Sequence, residues 1–250
     1  MKDTILQSII TSFEKWSAPL PRRVCTKGCS TCCTQGVMIT ALEGERILGF
    51  ILQEGMERWF ASRLQLPRPV SPALLTTNEY AEACLQGIET EDPCDPGDSV
   101  PCPFLDRNCC GIYPVRPFGC RCFASERVCR PGEAAILPDF YIAASTAMMQ
   151  IIEHLGQHEY WGNMLDVLPA LCDISKYKTI ADLLADPAMI IQARLRTRRA
   201  RPLPGFLLLE EEQERLSPLF NAIFSTRING ITINDILNGG ERTSRPDTEK

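Results

Sequence analysis

Thirteen of the chain's 250 residues are cysteine, and ten of those fall in two short stretches. Cys25, Cys29, Cys32 and Cys33 lie within nine residues, and Cys102, Cys109, Cys110, Cys120, Cys122 and Cys129 follow further on. Cys84 and Cys94 sit between the groups, and Cys172 lies beyond them. An odd number of cysteines excludes complete intramolecular disulfide pairing. A chain of this length buries a core without covalent staples. The N-terminus carries Lys2 and Asp3, with Glu14 and Lys15 soon after. It therefore lacks the uninterrupted apolar stretch of about 7–15 residues that marks a secretory signal. The expected location is cytoplasmic, where thiols stay reduced, and clustered reduced thiols point to metal ligation or catalysis.

Charge and hydropathy narrow the partners. The formal net charge of −5 gives nucleic acid no electrostatic invitation. The longest charge-free apolar run, Phe140 to Ile152, has 13 residues. A membrane span needs about 20, so this run reads as a buried helix and no membrane association is expected.

The fold class expected is mainly α, with a cysteine-rich, metal-binding half of irregular loops packed on a helical C-terminal half. Residues 1–130 form the first domain in this reading, 131–238 the helical domain and 239–250 a disordered tail. Apolar spacing predicts helices over residues 4–16, over Leu42–Leu64 and over Thr77–Gly87. Pro67, Pro69 and Pro72 interrupt the chain, and a Pro/Gly/Asp loop spans Asp92–Pro103. In the second half helices are predicted from Pro138–Asp139 to Leu155, over Glu159–Cys172 and over Thr179–Ala185. Asp186 and Pro187 open another that runs to Arg201, Glu210–Phe224 forms the next, and Thr232–Leu237 a short last one. No period-2 pattern is strong enough to predict a strand.

The first group spells Cys25-Thr-Lys-Gly-Cys29-Ser-Thr-Cys32-Cys33. Thiolates three and four residues apart converge when a tight turn joins them, and Gly28 supplies that freedom. Soft sulfur donors select zinc, copper(I) or iron–sulfur centres. Vicinal Cys32 and Cys33 point apart, which suits two sites or one polynuclear cluster. The second group reads Cys102-Pro-Phe-Leu, then Cys109-Cys110-Gly-Ile-Tyr113-Pro-Val-Arg116-Pro117-Phe-Gly-Cys120-Arg121-Cys122. Four thiolates around a dication leave a net negative site, and Arg116, Arg121, Arg22, Arg23 and Lys27 stand nearby in sequence to offset it.

These motifs resemble the YkgJ-type cysteine-cluster family, whose domain is described as zinc- or iron-chelating and also occurs in flagellin lysine N-methylases. The resemblance covers residues 25 to about 123. It implies that Cys25, Cys29, Cys32, Cys33, Cys102, Cys110 and Cys120 are ligands, with Tyr113, Arg116, Pro117 and Arg121 around the bound group. It also places an acidic residue after the first cluster, at Glu43 or Glu45. Cys109, Cys122 and Cys129 look like additions, any one of which is a candidate eighth ligand. The cofactor expected is an iron–sulfur cluster or zinc.

Other chemistries fit less well. Cys25-x3-Cys29-x2-Cys32 matches the spacing of a radical-SAM loop, but no βα alternation follows it. A role in SAM-linked protein methylation rests only on the family resemblance, since no strand leads into a Gly-rich turn. His154 and His158 are spaced for a shared metal on a helix, but Gly156 lies between them and no cysteine is near. The arginine run 194, 196, 198, 199 and 201 is read as salt-bridged to Glu210–Glu214. Cys84 and Cys172 lack ligand-spaced neighbours and are expected to be buried packing residues. Two function classes remain: an iron–sulfur protein with a redox or modification-supporting role, and a structural zinc module whose helical half binds a protein partner.

Overall fold

A computed structural model describes residues 1–20, 24–25, 28–66, 75–90, 100–130, 135–184 and 186–239. Helix α1 (Lys2–Ser17) buries Ile5, Leu6, Ile9, Ile10 and Phe13 along one face, as its spacing predicts. Strand β1 (Met38–Thr40) runs into α2 (Ala41–Gln53), where Thr40 and Glu43 form a reciprocal capping box. The predicted helix over 42–64 is broken, because Gly55 adopts φ +65° and α3 (Glu57–Leu64) starts afresh. A second capping box, Thr76 with Glu79, opens α4 (Thr77–Leu85).

The second cysteine group carries a hairpin of β2 (Leu105–Asp106) and β3 (Cys109–Cys110), then the short helix α5 (Phe118–Cys122). Helix α6 (Asp139–Leu155) follows as expected. The predicted helix from Glu159 is corrected: Tyr160–Asn163 is strand β4, and α7 (Met164–Leu171) begins only after it. Four residues that include Gly162 at φ +154° are too few to show a period of two. The chain continues through α8 (Lys178–Ala181), α9 (Ala188–Arg196), β5 (Arg198–Arg199) and α10 (Glu210–Phe224). A small hairpin of β6 (Arg227–Ile228) and β7 (Ile231–Thr232) leads into α11 (Ile233–Leu237). The fold is mainly helical, and its three-stranded antiparallel sheet has the order β1-β4-β5. Among the described residues no helix is long and apolar enough to cross a membrane.

Two apolar cores form, and each draws on both sides of residue 130. One joins Ile39, Ile47, Phe60 and Phe104 to Val167, Leu168 and Ile180. The other joins Ile5, Phe13 and Phe118 to Tyr141, Met148, Leu219 and Ile233. Aromatic contacts seat the cysteine segments on this scaffold. Phe104 stacks on Phe60 with ring centroids 5.4 Å apart, and Phe118 meets Phe13 edge-on at 5.0 Å. Gly111 passes so close to Trp59 that a Cβ there would lie 2.5 Å from its ring. The Tyr141 hydroxyl donates to the Cys122 carbonyl at 3.0 Å.

The arginine run is ion-paired, but not with Glu210–Glu214. Arg194 pairs with Asp173, Arg196 with buried Asp166 at 2.7 Å, and Arg198 with Glu79 at 3.0 Å. Arg199 lies over the Tyr160 ring. The acidic residues that matter sit on other elements, so proximity in sequence misled. Both ring nitrogens of His154 are engaged, Nε2 with the Leu237 carbonyl and Nδ1 with the Leu203 N–H, which leaves neither for a metal shared with His158.

Candidate metal centre

The two cysteine groups are joined by backbone. The Cys102 N–H donates to the Cys33 carbonyl at 2.9 Å, and the Gln35 N–H to the Val100 carbonyl at 2.9 Å. A bridge between Thr34 and Pro101 completes this short seam. On the other side the Val24 N–H donates to the Ser125 carbonyl at 3.0 Å, carrying Cys25 toward residues 124–129. The loop itself is tightened by the Cys33 N–H donating to the Ser30 carbonyl and by Gly28 at φ +96°.

The hairpin turns on Arg107 and Asn108 at φ +46° and +63°, the conformation of a two-residue type I′ connection. Successive strand residues face opposite ways. The cavity wall takes Cys110, whereas Cys109 is exposed. The Asn108 side chain also bonds to the Ser30 hydroxyl at 3.2 Å, fixing the hairpin tip to the first loop. Asn108→Val should cost about 1–2 kcal/mol, since a β-branched residue is strained at this φ. Asn108→Gly should come close to wild type. Thermal unfolding of the two variants checks it, and equal midpoints would contradict it.

Past the hairpin, Arg121 shapes the turn into α5. Its Nε donates to the Arg116 carbonyl, Nη2 to the Pro114 carbonyl and Nη1 to Glu14, each at 2.9 Å. Glu43 holds the same turn from below. One carboxylate oxygen accepts from the Phe118 N–H at 2.8 Å, and the other from the Thr40 N–H at 2.9 Å and its hydroxyl at 3.0 Å. Burial pushes the Glu43 carboxyl up, and these donors pull it back.

These elements enclose one cavity of about 230 Å³ whose wall includes Cys25, Cys29, Cys32, Cys33, Cys102, Cys110 and Cys120. Tyr113, Arg116 and Arg121 line it too. Cys122 does not: it is 7% exposed, and its thiol donates to the Gly119 carbonyl. Cys129 is half-buried and lies within electrostatic range of Cys25. Cys172 is buried as expected, but Cys84 is exposed, because α4 turns it away from both cores. Cys94, Arg22, Arg23 and Lys27 lie outside the described residues.

Burial pushes up the thiols of Cys25 and Cys110, that of Cys102 to about 11 and that of Cys120 well above its ordinary value. Cys32 is raised chiefly by donating its S–H to Cys33, which is lowered by accepting it. Among the described residues no three His, Cys, Asp or Glu side chains stand close enough together to hold an ion.

The donor set nevertheless fits a soft metal in kind, as thiols line the cavity beside a cation with a spare donor. The Arg116 guanidinium lies 4.1 Å over the Tyr113 ring, and its Nε is buried with no hydrogen-bond partner. An orphaned N–H beside thiols is what a sulfur-bound anionic centre would satisfy.

Sequence reasoning missed Asn108 and Ser125 as the residues that pin the loops. Glu43 was readable from Thr40-Ala-Leu-Glu43 as a capping box ahead of an apolar run. No family model matches this chain, and no curated protein or solved structure matches it.

Proposed function

We propose that this cavity holds an iron–sulfur centre and that the protein serves a redox or modification-supporting role. The observation that carries the reading is the gathering of seven cysteines, from segments about 70 residues apart in sequence, into one cavity wall. Ligands would come from Cys25, Cys29, Cys32, Cys33, Cys102, Cys110 and Cys120. Bound there, a cluster would supply one-electron chemistry. The chain's own part is to position and neutralise. Arg116 offers its free Nε–H toward sulfur, Tyr113 fixes that guanidinium by stacking, and Arg121 and Glu43 hold the turn that presents Cys120. The apolar neighbours Val37, Ile112 and Met164 exclude water from part of the wall.

A structural zinc module is the second reading, and one observation favours it. Ile191 and Leu195 on α9, 62% and 81% exposed, line one surface pocket with Tyr160 and Thr197, an apolar surface suited to a protein partner.

Spectroscopy separates the two readings. Protein purified without oxygen should be brown, with broad sulfur-to-iron absorption that bleaches on reduction by dithionite. A colourless preparation that contains zinc would replace the first reading with the second.

A further inference from the structure

Cys33 and Cys102 face each other across the seam that joins the two cysteine groups. The bridge between Thr34 and Pro101 is antiparallel, and the Cys102 N–H donates to the Cys33 carbonyl at 2.9 Å. The residue before Thr34 and the residue after Pro101 are therefore direct cross-strand partners, with side chains on one face. Both line the cavity, and both are half-buried. Among the described residues no other two cysteines are opposed in paired backbone.

Opposed residues at a hydrogen-bonded position of an antiparallel pair have Cα atoms about 5.5 Å apart. A disulfide spans Cα separations of about 4.4–6.8 Å, so the backbone already holds this pair within range. Its Cβ atoms, about 4.5–5.5 Å apart in such pairs, must draw in to about 3.8 Å. The seam can give that much, because the Cys33 N–H bonds to the Ser30 carbonyl and leaves the pair joined by a single hydrogen bond. A bond closed under such strain is readily reduced again. The rival is Cys32, whose thiol donates to Cys33. Consecutive Cα atoms across a trans peptide, as at Cys32–Cys33, are only about 3.8 Å apart, below the range a disulfide spans.

We infer that Cys33 and Cys102 form a reversible disulfide when the cavity holds no metal, and that this bond keeps metal out until it is reduced. The bond itself belongs to the empty chain, and only its gating effect rests on the metal-binding reading above. The oxidant is a small-molecule disulfide. Cys102 packs against the first apolar core and Cys33 against neither, so Cys33 is the sulfur a reagent meets first. Cys33 gives its proton to solvent and attacks one reagent sulfur, and the other leaves as a thiolate that takes up a proton. Cys102 then gives up its proton and displaces the attached half as a second thiol. Two protein thiols are oxidised, and one reagent disulfide is reduced to two thiols. The product withdraws one wall sulfur from each cysteine group. Metal bound at the same sulfurs would shield them from the exchange.

Oxidised glutathione, added to the metal-free full chain, tests this. Disulfide mapping by mass spectrometry should find Cys33–Cys102 as the main bond, with glutathione on neither sulfur. Cys32→Ser should form the same bond, and Cys102→Ser should hold glutathione on Cys33. Cobalt(II), whose thiolate sites absorb visibly, should bind the oxidised chain roughly tenfold or more weakly, since losing even a group that orients a ligand costs that much. Dithiothreitol should restore it. A main bond between Cys32 and Cys33 or within either cysteine group, or glutathione left on Cys33 of the wild type, would overturn the pairing and leave metal binding intact. Equal cobalt affinity of oxidised and reduced chains would overturn the gate. A reduced chain that takes up no cobalt would overturn the gate together with the metal-binding reading, while a mapped Cys33–Cys102 bond would still establish the pair.

Discussion

Cys33→Ser should lose about half or more of the chain's bound metal, because Cys33 lines the cavity and its residue is joined through the backbone to Cys102 of the second group. Its carbonyl accepts from the Cys102 N–H, so the backbone seam remains and the loss reports on the sulfur. Binding energy at such a site is folding energy, and a structural zinc in small peptides contributes about 10 kcal/mol or more. Loosening should therefore be local. Hydrogen exchange after metal loss should rise over residues 28–37 and 100–123 and change little over α10. The controls are Cys172→Ser and Cys84→Ser, which should keep full metal. Cys172 is buried with its thiol directed at the Leu168 carbonyl, so serine there costs about 1 kcal/mol of stability. Full metal content in Cys33→Ser, or strong loss in Cys172→Ser, would overturn the ligand assignment.

Glu43→Ala should be the most damaging change outside the cysteines, at about 3–5 kcal/mol. The carboxylate is 5% exposed and satisfies two backbone N–H groups that belong to different parts of the fold. Truncation leaves the N–H groups of Thr40 and Phe118 buried and unpaired, and it releases the turn that presents Cys120. Metal affinity should fall together with stability. Glu43→Gln keeps one acceptor and should fall between alanine and wild type. Urea midpoints at unchanged slope measure the cost. An alanine variant within about 0.5 kcal/mol of wild type would show that the turn is held by other contacts.

The parts of the fold that the sequence disclosed were those with a long period. Helices α1, α6 and α10 each repeat an apolar face over several turns, and their limits lie close to expectation. The strands were not legible, because β1, β4 and β5 are two to four residues long and pair across large separations. For the site, spacing picked out the two cysteine groups, and the family resemblance named the seven cysteines that line the wall. Spacing alone did not separate Cys110 from Cys109, which depends on a hairpin turned by Arg107-Asn108 without the glycine that usually announces one. Nor did it separate Cys122 from Cys120: helix α5 places Phe118 and Cys122 on its buried face and turns Cys120 to the cavity. Arg121 was read as a charge for the cluster, yet its bonds commit it to the backbone and leave Arg116 as the available donor.

Iron, zinc and acid-labile sulfide, counted per chain in protein purified anaerobically from cells, test the central claim most directly. The account predicts bound metal in stoichiometric amount, with sulfide equimolar to iron and the wall cysteines protected from thiol reagents until metal is removed. A folded chain that holds neither iron nor zinc, and in which all seven wall cysteines react at once, would contradict it.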